Sequence, residues 1–447
     1  MTEIVATTAR HKLPDGQVHL LGAVKTVTGA MTRVETAGKA LLVDCGIAQG
    51  RDRHDWRFPD EARDIDAVLL THGHQDHIGS LPTLLENDFN RPILATKATL
   101  AVARISLEDS LEMQGASDVE VERFLRRFNK LSRAVPYDEL DEHVPGFRGR
   151  VAFREAGHIL GSASVEIVTE KSRVICSGDL GRPHSPILRD YNTLWEPGQP
   201  VDVVVMESTY GSRDHAHSHD DIERELERIL KRAVEKKGKV LVPSFAIGRT
   251  QVLLYHLNTL VEAGRLRNIP VAVDTPMGLG ITETYQRFRN LFDKGALEQL
   301  ARGDDPLDFD ELYAVQKGRD SVRLRDVPGP MIIIAGSGMC TGGRIVGHLV
   351  EGLPDPDNTV MFVGYQAEGT PGRRIQEAAK SGGRVRVDGE EVLVRASIET
   401  LRGLSAHADR GELFAWMKAI PDVKRVALHH GDDDAQRDFV RWAEARS

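Results

Sequence analysis

Cysteine is scarce: Cys45, Cys176 and Cys340 are three thiols in 447 residues, widely separated and without a CxxC pair. That excludes a disulfide framework, a zinc knuckle and a dithiol redox motif, and leaves reduced, partly buried thiols. Long apolar runs are missing too, since nothing approaches the roughly 18 consecutive apolar residues of a membrane span. The opening MTEIVATTARHKLPDG lacks the charged and apolar stretches of a signal peptide, so a cytoplasmic protein without membrane association is expected. There is no basic excess: 58 Lys+Arg against 67 Asp+Glu give a net charge of −9 with His neutral. This argues against a surface coated for non-specific duplex binding. Nucleic acid stays open as a partner, because carboxylates gathered around bound cations make the formal count overstate the negative field at a site. Repeats and low-complexity linkers are also absent, and 40% hydrophobic with 28% charged residues is the composition of an ordinary folded protein.

Short β-rich runs at 18–21, 31–36, 40–44 and 67–71, punctuated by glycines, predict a meander of strands in the first third. Helical spacing over 97–133, broken near Gly115, predicts two helices. Strands resume at 151–155, 163–169, 173–177 and 201–206. After Glu207 the helices 222–237 and 250–263 alternate with the strands 239–242, 270–274 and 331–335, which predicts a parallel, Rossmann-like sheet. Strands at 384–387 and 391–398 follow, then helix 410–419, strand 423–428 and helix 435–446. The middle therefore reads as a domain inserted into the first one: 1–207, an insertion over 208–395, and a return over 396–447.

The strongest local signal is Thr71-His72-Gly73-His74-Gln75-Asp76-His77-Ile78-Gly79, directly after a predicted strand. A strand-end loop with His72 and His74 on one side and Asp76 and His77 on the other suits two adjacent cations, provided later segments complete each shell. His158 in AGHILGS, Asp179 in SGDLG and His430 in LHHGD each follow a strand beside glycine. Taken singly, they read as a structural His or a turn Asp; beside the cluster, they read as ligands. Elsewhere, the glycine-rich segment 336–344, carrying Ser337, Gly338, Thr341 and Arg344, follows an apolar strand and offers N–H groups, hydroxyls and a cation to phosphate oxygens. Ser244 and Arg249, at the start of a helix, form a similar candidate for a polynucleotide backbone.

The order Asp44, HxHxDH, His158, Asp179 resembles the metallo-β-lactamase fold. Glu207 in ESTYG, His407 in SAHAD and His430 resemble the three extra motifs of its β-CASP nuclease branch, which includes bacterial and archaeal relatives of the cleavage/polyadenylation endonuclease. The resemblance spans nearly the whole chain. It implies a metallo-β-lactamase αββα sandwich with an inserted Rossmann-like β-CASP domain. It further implies two zinc ions, the first on His72, His74, His158 and Asp179, the second on Asp76, His77, Asp179 and His430, with Asp179 bridging. Asp44 would orient a ligand His from outside the ligand set.

Two such cations lower the pKa of a bridging water and neutralise a phosphoryl group, which suits phosphodiester hydrolysis by a bridging hydroxide. By the same resemblance, His407 is the candidate acid at the leaving group and Glu207 its positioning partner. An inserted domain capping the centre would admit an extended single strand. A His at position 430 points by resemblance to RNA, so the expected function is a zinc-dependent ribonuclease acting on single-stranded RNA. A DNA nuclease, another hydrolase of the same fold and a non-catalytic RNA-binding subunit are the alternatives. Endonuclease or 5′→3′ exonuclease mode is open at this point, and a homodimer is compatible with the sequence.

Overall fold

The computed structural model describes all residues except 1, 7–8, 51–55, 87, 141–143, 216–218, 268 and 447. The chain divides into two compact units, Met1–Asp214 with Ala406–Ser447, and His215–Ser405.

The first unit is built on two sheets. One runs Glu3–Val5, Arg425–His429, Val203–Glu207, Arg173–Cys176, Ala163–Thr169, Gly149–Glu155; the other has seven strands from Arg10–Leu13 to Ser132–Ala134 in sequence order. Side-chain alternation explains why they stack. In Lys39–Val43, Leu41 and Val43 join the cluster between the sheets, whereas Ala40 and Leu42 point to the opposite face. In Val203–Glu207, Val203 and Val205 face that same cluster, and Val204 and Met206 face away. Both outer faces are covered by helices. Leu81–Glu86, Lys97–Met113 and Asp118–Leu131 supply Leu84, Leu107 and Phe128 on one side, and Arg410–Ala419 and Asp433–Glu444 supply Trp416 and Phe439 on the other. The result is the αββα sandwich. Full burial stabilises each such Val, Leu or Phe by about 1.5–3 kcal/mol, so a strand apolar on both faces is held from two sides.

The expected meander holds for Gly16–Gly22, Met31–Thr36 and Lys39–Val43, which pair antiparallel, and Arg10–Leu13, a strand that was not expected, adds antiparallel to the first of them. Ala67–Leu69, Ile93–Ala95 and Ser132–Ala134 instead add in parallel, because long connections return the chain to the same end before each strand.

The second unit carries a six-stranded, all-parallel sheet in the order Leu312–Ala314, Val271–Asp274, Met331–Ala335, Lys239–Pro243, Thr359–Phe362, Ser397–Thr400. Helices Arg249–Glu262, Pro276–Arg287, Arg344–Gly352 and Pro371–Ser381 start beyond strand ends. The expected strand over 391–398 is in fact two. Asp388 and Gly389, at φ 50° and 81°, turn Arg384–Val387 back onto Glu390–Leu393 as a hairpin, and Ser397–Thr400 leaves to pair with Thr359–Phe362. Because that last strand belongs to the parallel sheet, the return to the first unit falls at 405/406 rather than 395/396, and the departure at 214/215 rather than 207/208. Among the described residues, no helix is long and apolar enough to cross a membrane.

Candidate metal centre

Every candidate ligand lies just beyond a strand of the first unit. The strand Ala67–Leu69 leads to His72 and His74, and the short helix Gln75–Ile78 then turns Asp76 and His77 back toward them. Gly149–Glu155 leads to His158, Arg173–Cys176 to Asp179, Val203–Glu207 ends on Glu207, and Arg425–His429 leads to His430. The last two strands pair in parallel with Glu207 opposite His429, which sets His430 beside Ser208; the Ser208 N–H donates to the His430 carbonyl at 3.3 Å. Asp44 and His430 hold the left-handed backbone conformation, φ 62° and 49°, a strain that concentrates at functional positions. Gly178 does so at 58°, and a Cβ there would lie 2.7 Å from that of Thr71, so glycine lets the Asp179 turn lie against the histidine loop.

The seven side chains converge. One ligand atom each from His72, His74, His158 and Asp179 lies within 4.8 Å of the others, and the same holds for Asp76, His77 and His430. Asp179 faces both groups: Oδ2 is 3.5 Å from His72 Nε2 and 3.6 Å from His158 Nε2, while Oδ1 is 3.2 Å from His77 Nε2 and 3.6 Å from His430 Nδ1. Buried Oδ1 nonetheless has no well-formed hydrogen bond.

The outward nitrogens of two histidines are committed. His158 Nδ1 donates to the Ala406 carbonyl at 2.9 Å, and His77 Nδ1 to Asp44 Oδ2 at 2.7 Å. In the neutral tautomers, Nε2 of each ring then presents a lone pair to the pocket. Asp44 is itself fixed by the Thr71 N–H and hydroxyl, both at 2.8 Å. Burial drives His72 and His158 well below the usual imidazole range and His74 down to about 4, so these rings are neutral. Burial also disfavours a charge on His77, yet the Asp179 and Asp44 carboxylates outweigh it and hold His77 well above the ordinary value. Burial works against the charged form of Asp76 as well, but the His430 hydrogen bond and neighbouring histidines bring it down to about 2. Three neutral imidazoles, ionised carboxylates, a buried carboxylate oxygen without a well-formed hydrogen bond and a pull for positive charge at His77 are what a pair of divalent cations requires, so the donor set fits them.

His407 and Glu207 stand at the margin of this pocket. His407 Nδ1 lies 3.2 Å from Glu207 Oε1 and 3.9 Å from Asp179 Oδ2, and the side chain keeps 21% exposure. Burial lowers its proton affinity, and the Glu207 carboxylate more than compensates, raising it to about 9. Glu207 Oε1 also accepts the Leu180 N–H at 2.7 Å, anchoring it to the Asp179 turn. Two residues of the centre had no assigned role in the sequence reading: Thr71, which fixes Asp44, and Thr209, whose hydroxyl lies 3.1 Å from His430 Nδ1. Thr71 directly precedes His72 and Thr209 follows Glu207 by two positions; a hydroxyl beside a ligand motif is the signal that could have found them. Gln75 turns away and donates to the Ser106 carbonyl and hydroxyl at 2.7 and 2.9 Å.

The candidate phosphate-binding residues lie in the second unit, beyond the strands Lys239–Pro243 and Met331–Ala335. Arg344 does not present its charge to a ligand. Its guanidinium donates to Asp274 Oδ1 at 2.8 Å and to the carbonyls of Val315 and Gln316 at 2.8 and 2.7 Å, since the fully buried Asp274 carboxylate demands compensation. Ser244 is likewise internal, its hydroxyl 3.0 Å from that of Thr250. Ser337 accepts the Thr341 N–H at 2.9 Å, Thr341 is exposed, and the Gly338 carbonyl accepts from Gln366 at 2.9 Å. Arg249 is the first residue of its helix and half-buried.

Known proteins resemble this chain over most of its length. Family models match residues 26–244 as the metallo-beta-lactamase superfamily, 250–375 as the Beta-Casp domain and 391–447 as the Zn-dependent metallo-hydrolase RNA specificity domain. The chain is 37% identical over 92% of its own length to Ribonuclease TTHA0252 of Thermus thermophilus, covering 92% of that protein. It is 30% identical over 92% of its length to the transcription termination factor FttA of Methanothermobacter thermautotrophicus, of which it spans 66%, and 29% identical to an RNase J-like protein of Methanocaldococcus jannaschii, of which it spans 91%. A crystal structure of a protein of unknown function from Enterococcus faecalis shares the fold at a TM-score of 0.55 and 12% identity, over 94% of this chain and 95% of that one. With the ligand geometry, the three matched domains and a relative alike over nearly its whole length, the chain belongs to the β-CASP ribonuclease family of metal-dependent hydrolases within the metallo-β-lactamase superfamily.

Proposed function

We propose that this chain hydrolyses phosphodiester bonds of single-stranded RNA with two zinc ions, held by His72, His74, His158 and Asp179 and by Asp76, His77, Asp179 and His430. The observation that carries the reading is Asp179, whose two carboxylate oxygens face the two groups of nitrogen donors. An RNA substrate is supported by the RNA specificity domain matched at 391–447 and by the name ribonuclease borne by the 37% identical relative.

Bound divalent ions supply Lewis acidity to a phosphoryl oxygen and lower the pKa of coordinated water. The chain's own residues do the rest. Asp44 accepts the His77 Nδ1 proton, and the Ala406 carbonyl that of His158, so both rings keep Nε2 as donor atom and cannot turn. Glu207 holds His407 by Nδ1, which directs proton delivery to the leaving oxygen through Nε2. Ser337, Thr341 and Arg249 remain candidates for backbone phosphates in the second unit.

The test combines metal analysis of the purified protein with cleavage of RNA and single-stranded DNA oligonucleotides labelled at either end. Two equivalents of zinc and hydrolysis of RNA are expected, and the two labels report whether cuts are internal or start at the 5′ end. Asp76→Ala should abolish cleavage while leaving RNA bound; intact RNA with zinc-loaded wild type would refute the assignment.

A further inference from the structure

Most large apolar side chains of the second unit are buried, but two aromatic rings at the carboxyl edge of its parallel sheet are not. Phe245, just beyond Lys239–Pro243, is 40% exposed, and Tyr365, just beyond the neighbouring strand Thr359–Phe362, is 60% exposed. Leaving aromatic surface in water opposes folding, since a buried ring contributes more than an exposed one. Their supports are built in detail. A Cβ on Gly338 would come within 2.6 Å of the Phe245 ring, so only glycine lets that ring lie against the backbone of the 336–343 loop. A Cβ on Gly364 would meet the same ring at 3.7 Å, which brings Phe245 beside the residue preceding Tyr365. Gln366 ties the two loops together, donating to the Gly338 carbonyl at 2.9 Å and lying near those of Gly364 and Tyr365 at 3.2 and 3.3 Å.

The surroundings favour a polyanion carrying flat bases. The helices Arg249–Glu262, Arg344–Gly352 and Pro371–Ser381 all begin at this edge and direct the partial positive charge of their first turns to it, with the Thr250, Ile345 and Gly372 N–H groups already donated to the carbonyls of Phe245, Gly336 and Met339. Thr341 is exposed there with its hydroxyl 3.2 Å from that of Ser337. Open aromatic faces next to phosphate-attracting backbone are the composition of single-strand binding surfaces, where each base stacks regardless of its identity. The geometry points to Phe245 and Tyr365 as a stacking platform for unpaired bases of the RNA substrate, an assignment that rests on the reading of the chain as an RNA hydrolase. The platform reads flatness, so it selects single-stranded segments without selecting a sequence.

The test uses the full-length, zinc-loaded protein and a fluorescent phosphorothioate oligoribonucleotide that resists hydrolysis, compared with an abasic strand of equal length. Phe245→Ala and Tyr365→Ala should each weaken binding of the base-carrying strand about 5- to 100-fold and leave the abasic strand unaffected. Phe245→Trp should restore the affinity, and Gly338→Ala, which displaces the ring without removing it, should reproduce the loss. Unchanged affinity, or an equal loss for both strands, overturns the platform while cleavage by wild type keeps the hydrolase reading intact. Wild type that neither binds nor cuts RNA overturns both.

Discussion

His77 depends on a residue that touches no metal. Asp44 takes the proton of its Nδ1 and is itself held by Thr71, so Asp44→Asn should leave the fold in place while weakening zinc at the Asp76, His77 and His430 group by about 10- to 100-fold. Titration of zinc into the apo protein measures this, with retention of wild-type affinity as the contrary result. A second residue sets a pH dependence. Burial lifts the Glu155 carboxyl from 4.5 to about 8, against the opposing Gly157 N–H hydrogen bond. Between those values the folded chain holds a proton that the unfolded chain has released. Its contribution to stability is therefore whole below pH 4.5 and fades as pH rises through about 8. Glu155→Gln, neutral throughout, should melt increasingly above wild type as pH is raised from about 5 to 9; a constant difference would contradict the assignment. At this scale the ligand types were legible, because imidazole and carboxylate at HxHxDH spacing have few other uses. Arg344 was not, because a sequence does not reveal that a buried Asp274 seventy positions earlier will claim its guanidinium.

Among the elements, the helix Arg410–Ala419 has a strong start. Asp409 accepts the Glu412 N–H at 2.9 Å, and Glu412 accepts the Asp409 N–H at 2.8 Å, a reciprocal cap two residues after His407. Asp409→Ala should cost about 1 kcal/mol of stability and loosen His407 against Glu207, lowering kcat for RNA cleavage with zinc content unchanged. Calorimetry with metal analysis separates this from metal loss, and a kcat equal to wild type would show that the cap serves the helix alone. Elements long enough to show a period were legible: the two helices expected between 97 and 133 are Lys97–Met113 and Asp118–Leu131. The run at 391–398 was not, since both of its halves are β-prone and only pairing partners divide them between a hairpin and the parallel sheet.

For the whole molecule, the first unit encloses apolar clusters between and outside its sheets, while the second has its own core around Leu241, Ile333 and Phe362. All seven candidate metal ligands belong to the first unit. At free zinc about a thousandfold above Kd, each site adds about 4 kcal/mol to the stability of the state that binds it. Removing zinc with a chelator should therefore lower one calorimetric transition, leave the other in place, and be reversed by zinc; a single transition shifting as a whole would contradict this. The sequence alone determined the candidate donor types, the periodicity of the longer strands and helices, and the change from a β-rich first third to alternating strands and helices, because these depend on neighbours a few residues apart. Which atoms meet was decided by tertiary structure. Glu207 and His430 are brought together by the register of two strands more than 200 positions apart, and the tautomer of His158 is set by the carbonyl of Ala406, 248 positions away. Such contacts follow from how sheets pair and close, a property of the assembled chain and of no segment of it.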